Sequence, residues 1–199
     1  MTGTESTRRH TRDDVAGAAL RILDDYGLPD LTMRRLAAAL NVQPSALYWH
    51  FPNKQTLLAD LADRIVAPAA APRSADWAAD LRAEAAALRD ALLAYRDGAE
   101  VVASTLAIGM GPTIAHERLA TAISAGGFDD ATARNAATAL QHFILGHASH
   151  EQQRMQYDSI GVLAPRPGES ASEHDDPTAE FTFGVDLIVA GLQFSRTRA

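Results

Sequence analysis

Residues 31–58, LTMRRLAAALNVQPSALYWHFPNKQTLL, decide the fold, because they place two short helical segments on either side of a tight turn. Thr32 can cap the first segment, which carries Leu36, Ala37 and Leu40 on one side, and Asn41 makes the turn. Pro44 suits the first turn of the second segment, where its missing N–H costs nothing. That helix is predicted to run Ser45-Ala46-Leu47-Tyr48-Trp49-His50-Phe51 and to stop at Pro52. Asn53 caps the next helix, with Leu57, Leu58, Leu61 and Ile65 along one side and an end near Pro68.

Upstream, Thr11-Arg12-Asp13-Asp14 reads as a capping box. Val15, Ala18, Ala19, Ile22, Leu23 and Tyr26 follow at helical spacing, and Gly27 closes the helix. A long helix and then two short ones across a turn give a helix-turn-helix, which lays its second short helix in the major groove of DNA. Tyr48, Trp49 and His50 would grip the backbone, Lys54 supplies a charge for a phosphate, and Ser45 or Ala46 is small enough to reach base edges. Arg34 and Arg35 sit on the supporting helix. The spacing alone also fits Tyr48 and Trp49 as core residues of a plain three-helix bundle.

Downstream, Ala69–Ser74 reads as a hinge. Trp77, Leu81, Leu88, Leu92 and Tyr95 stripe a long helix closed by Gly98, and a shorter one follows from about Val101 to Ile108. Gly109-Met110-Gly111-Pro112 breaks the chain, and a further helix runs to Gly126-Gly127. No Lys, Arg, Asp or Glu occurs from Asn135 to His150, and none from Leu187 to Ser195. Helices that long without a charged face must be covered on nearly all sides, and Gly146, Gly184 and Gly191 would let helices cross closely. A buried monomer core is the competing account. Tyr157–Pro177 reads as a loop, and no strand alternation or internal repeat occurs.

Composition narrows the function. Residues 1–60 hold equal numbers of basic and acidic residues, so the net charge of −7 lies entirely in 61–199. DNA contact therefore belongs near the N-terminus, and the remainder repels phosphate. The absence of cysteine excludes disulfides and thiolate metal sites. No apolar run spans a bilayer and no signal peptide is present, so a cytoplasmic location without membrane contact is expected. Paired carboxylates, a Ser-His-Asp set and a glycine-rich phosphate loop are all missing, which argues against an enzyme.

The run from Leu31-Thr32-Met33-Arg34-Arg35-Leu36-Ala37 through Leu47-Tyr48-Trp49-His50-Phe51-Pro52-Asn53-Lys54 closely resembles the DNA-binding head of TetR-family repressors. Tyr95-Arg96-Asp97-Gly98-Ala99, His142-Phe143-Ile144-Leu145-Gly146, Glu151-Gln152-Gln153 and Phe183-Gly184-Val185-Asp186 resemble the body of the tetracycline repressors within that family. The resemblance implies an all-α fold: a three-helix helix-turn-helix head (1–55), a connecting helix and hinge (56–74) and a ligand-binding and dimerisation body (75–199). It implies that Arg34, Tyr48, Trp49, His50 and Lys54 touch operator DNA while Ser45 and Ala46 face bases. Where tetracycline repressors have Gln-Pro-Thr, this chain has Pro44-Ser45-Ala46, with Gln43 one place back, so a different operator is expected.

The resemblance also implies a homodimer on a palindromic operator, released by a small-molecule effector. The tetracycline repressors' histidine at the end of the connecting helix, asparagine on the long helix and metal-binding histidine fall here at Ala70, Glu84 and Val102. Of their polar anchors only Thr105 remains, so the effector is expected not to be magnesium–tetracycline. Glu84, Thr105, Met110, His116, Phe143 and His147 are the candidate ligand contacts; an apolar or aromatic effector oriented by Thr105 and by His116 or His147 is expected, Glu84 favouring a cationic or hydroxyl-bearing one. His147, His150 and Glu151 fit either a metal set or hydrogen-bonded interface histidines; no metal or cofactor is assigned. Leu145 and Val189 are expected in the dimer interface. A helical interaction module that does not bind DNA is the remaining rival.

Overall fold

The computed structural model describes residues 10–69, 71, 74–161 and 176–197. Among these there are nine helices and no strand. α1 (Arg12–Tyr26) begins at the capping box between Thr11 and Asp14 and ends at Gly27, whose φ of 84° places it in the left-handed region. Its buried face is Val15, Ala16, Ala18, Ala19, Ile22 and Leu23. Tyr26, expected on that face, is instead half-exposed, because it ends the helix and its ring carries the Arg35 guanidinium 3.8 Å from its centre.

α2 (Met33–Ala39) is capped by the Thr32 hydroxyl, which accepts from Arg35 N–H at 3.1 Å. Asn41 turns the chain at φ 52°. α3 covers only Pro44–Leu47, shorter than the expected run to Phe51. The N–H groups of both His50 and Phe51 close on the Leu47 carbonyl, and Pro52 holds Phe51 out of the helical region, so residues 48–50 form a turn past the helix end. α4 (Lys54–Val66) starts on a reciprocal cap between Asn53 and Thr56 and packs on α1 in the head and on α6 in the body.

The body holds α5 (Trp77–Leu93), α6 (Gly98–Ala107), α7 (Ile114–Ala125), α8 (Asp130–Ser159) and α9 (Pro177–Arg196). α8 is 30 residues, about 45 Å long, and its helix includes Tyr157–Ser159, which were expected in the loop. Pro177, the far end of that expected loop, begins α9; residues 162–175 of the loop and part of the hinge (70, 72 and 73) lie outside the described residues. α5, α6 and α7 all pack on α8, and α9 lies against α5 and α8. One continuous core joins Leu23, Leu36, Phe51 and Leu61 of the head to Leu81, Leu92, Val101, Ile123 and Leu140 of the body. Leu145 and Val189, expected between two copies, are 7% and 0% exposed inside the single chain, so they belong to this core. No helix among the described residues is long and apolar enough to cross a membrane.

Candidate nucleic-acid interface and effector site

The turn after α3 is pinned from below and bare above. Leu47 and Phe51 are buried, while Ser45, Ala46, Tyr48 and Trp49 are exposed. Trp49 is 86% exposed and Tyr48 48%, which removes the account of them as core residues of a plain bundle. An indole, a phenol and the half-buried His50 side by side in water form a contact surface, since aromatic rings gain far more from burial than from display. The cations around it differ in what they are doing. Arg35 is tied to Asp30 and to the Tyr26 ring, whereas Arg34 and Lys54 form no ion pair among the described residues.

In the body, the six candidate ligand contacts fall in several places. Thr105 is 1% exposed, with its hydroxyl donated to the Val102 carbonyl at 2.9 Å. Met110, on the turn after α6, is half-exposed. His116 Nε2 lies 3.2 Å from the Arg134 carbonyl oxygen and 3.1 Å from Thr138 Oγ1, fastening α7 to α8. It lines a cleft of about 350 Å³ with Glu117, Ala120 and Arg134, and none of the other five reaches that cleft. Phe143 stacks on Phe181 of α9 at 5.8 Å between ring centres, and His147 meets the same ring edge-on at 5.3 Å.

His147 Nδ1 is buried with no hydrogen-bond partner among the described residues, and Glu151 Oε2 lies 3.9 Å from it. Burial pushes its pKa below the usual histidine value; the Glu151 charge opposes this and Arg89 adds to it. Glu151 is held instead by Arg89, through bonds of 3.0 and 2.7 Å. Among the described residues no group of His, Asp and Glu is placed to hold a metal ion.

Glu84 and Gln141 are 7% and 6% exposed and have no hydrogen bond or ion pair among the described residues. Helical periodicity places each on a definite face of its helix. Arg82 and Arg89 of α5 turn toward α9, where they meet Asp186 and Thr178, and Glu84 lies on the opposite flank of α5. On α8, Phe143 and His147 turn toward α9, while Gln141 shares a flank with Gln152, whose amide oxygen accepts from Ala99 of α6. Both unpaired groups therefore fall on the side of the α5–α8 pair where α6 and α7 pack.

The family description "Bacterial regulatory proteins, tetR family" matches residues 17–61, and "Tetracyclin repressor-like, C-terminal domain" matches 68–195. The chain belongs to the TetR family. It is accordingly a transcriptional regulator and not an enzyme. The class C tetracycline repressor of Escherichia coli is 36% identical over 93% of this chain and 91% of its own. The crystal structure of Mycobacterium smegmatis BioQ is 42% identical, covers 92% of this chain and 97% of that one, and superposes with a TM-score of 0.81. A BioQ bound to its natural double-stranded DNA operator is 40% identical over 92% of this chain and 98% of that one, at a TM-score of 0.75.

For a TetR-family chain, one connection matters that the sequence did not disclose. The buried Gln152 amide accepts Ala99 N–H at 3.2 Å and donates to the carbonyls of Leu92 and Tyr95 at 3.0 and 2.8 Å. It fastens the α5–α6 turn to α8. The Glu151-Gln152-Gln153 run was the available signal, but its partners lie more than 50 residues away and leave no local trace.

Proposed function

We propose that this TetR-family regulator is a repressor that binds a palindromic operator as a homodimer and is released by a small-molecule effector other than magnesium–tetracycline. Residues 1–55 serve as the reading head, 56–74 as the connection and 75–199 as the sensing and dimerising body. The observation that carries the DNA reading is the bare Tyr48–Trp49 surface, with Arg34 and Lys54 in the same head and no ion pair for either among the described residues. His50 adds a backbone contact, and Ser45 and Ala46 face the bases. BioQ, seen on its own operator, supports the same use of this head.

The second copy is supported by the uncovered faces of α8 and α9. Phe183, Leu187 and Phe194 are 66%, 58% and 61% exposed, and His142, Gly146 and His150 line the adjoining open face of α8. Gly146 and Gly191 have open space around them, whereas Gly184 is already filled by the Phe143 ring of the same chain. A two-fold contact over these helices presents two heads to two half-sites.

Effector binding is supported by Glu84 and Gln141, two largely covered polar side chains with no hydrogen bond or ion pair among the described residues. A ligand bearing a cation or a hydrogen-bond donor satisfies both, with Thr105, Met110, His116, Phe143 and His147 as further candidate contacts. Magnesium–tetracycline is disfavoured: Val102, 1% exposed, cannot ligate a metal, and Ala70, outside the described residues, has no polar group to offer. The test is a duplex selected by the full-length protein from random sequences, followed by tetracycline in excess magnesium. Retention of the duplex is expected, and release at micromolar drug overturns the effector assignment.

A further inference from the structure

Arg12 opens α1, at the end of a helix where a positive charge meets the like pole of the helix dipole. Its own helix gives it no reason to be there. Its contacts elsewhere do. Arg12 Nε donates to Asp60 Oδ1 at 3.0 Å, its NH2 nitrogen lies 3.0 Å from the same oxygen, and its NH1 nitrogen donates to the His50 carbonyl at 3.3 Å. The guanidinium carbon sits 4.4 Å from the centre of the Phe51 ring. Asp60 belongs to α4, and its second oxygen accepts from Arg64 Nε at 2.6 Å; Arg64 in turn reaches Asp13 of α1, also at 2.6 Å.

Three elements therefore meet at the Arg12 guanidinium: the start of α1, the helix α4 that leads to the body, and the end of the stretch that displays Tyr48, Trp49 and His50. The Arg12 side chain is 54% exposed and that of Asp60 16%. An ion pair so open to water adds little stability, and what it supplies is direction. All three guanidinium nitrogens are engaged within the head, which leaves Arg12 poorly disposed to hold a phosphate.

We propose that Arg12 is a positioning residue for operator recognition: through Asp60 it locks the His50 end of the reading segment to α4. The set of Trp49 and His50 against DNA then follows any movement of α4. This rests on the head being an operator reader, and the test separates the two claims. Wild type, Arg12→Ala, Asp60→Asn and the double variant of the full chain are titrated against a duplex selected by the wild type and against a scrambled duplex, over a range of salt. Asp60→Asn is isosteric and keeps the comparison sound if Arg12→Ala loosens α1.

Each single variant is expected to bind the selected duplex about tenfold more weakly. Binding to the scrambled duplex and the slope of log K against log salt stay as in the wild type. The double variant is no worse than Asp60→Asn alone, because both substitutions cut the same Arg12–Asp60 linkage. A slope reduced by about 0.9 would make Arg12 a phosphate contact instead and overturn the proposal. Unchanged affinity for the selected duplex, equal loss on the scrambled one, or multiplying effects in the double variant each overturn it too. Failure of the wild type to select any duplex overturns the operator reading itself.

Discussion

The carboxylate of Asp97 accepts the backbone N–H of Leu28 at 2.8 Å, joining the start of α6 in the body to the loop that closes α1 in the head. Its other oxygen accepts the Gln156 side-chain amide of α8 at 2.5 Å. Asp97 holds a left-handed backbone at φ 55°, and Gly27 opposite leaves it room: a Cβ there would lie 2.8 Å from Asp97 Oδ2. Asp97→Asn keeps that backbone but turns an amide donor toward one of the two donors it serves. Exchange of the Leu28 amide is expected to speed up about tenfold, the effect of one lost charge-assisted bond. Unchanged protection at Leu28 would show that this contact does not hold the head.

Trp49 separates binding from stability. At 86% exposure its removal takes little from the core, so Trp49→Ala should shift folding stability by no more than about 0.5 kcal/mol. Affinity for a selected duplex should fall at least about tenfold. A thermal melt and a binding titration on the same sample decide it, and a variant that melts early contradicts the assignment of Trp49 to the DNA surface.

For the dimer, the informative substitution is Leu187→Arg, on the exposed face of α9. The chain should stay helical but sediment as a monomer. Val189→Arg, at 0% exposure, should unfold the protomer because the charge has no water or partner within the core. A folded dimeric Leu187→Arg would place the interface elsewhere.

His147 gives the body a pH dependence with a definite sign. Its folded pKa lies below the ordinary 6.5, so the unfolded chain takes up the proton first. The stability it contributes is complete above about pH 6.5 and is lost as pH falls through the folded value. The melting temperatures of wild type and His147→Phe should therefore keep a constant difference above about pH 7 and shift in favour of the variant on acidification. A constant difference throughout would remove His147 from the account.

Local chemistry is what the sequence made legible. The Thr11–Asp14 box, Gly27, the Thr32 and Asn53 caps and the Gly109–Pro112 break each act within a few residues and were readable as such. The end of α3 falls short of the expected run to Phe51 because Pro52 acts on the residue before it while Leu47 draws two amides at once. Leu145 and Val189 were misplaced because a helix without charges shows that it is covered but not which side faces its own chain. The links through Asp97, Gln152 and Asp60 join residues dozens of positions apart, and no periodicity carries that information.

The most direct measurement is fluorescence anisotropy of a palindromic duplex selected by the full-length protein, read for stoichiometry and salt dependence in the wild type and Lys54→Ala. The account predicts two chains per duplex, a steep negative salt slope in the wild type, and a slope shallower by about 0.9 in Lys54→Ala. One chain per duplex, no preference among sequences, or an identical slope in the variant would contradict it.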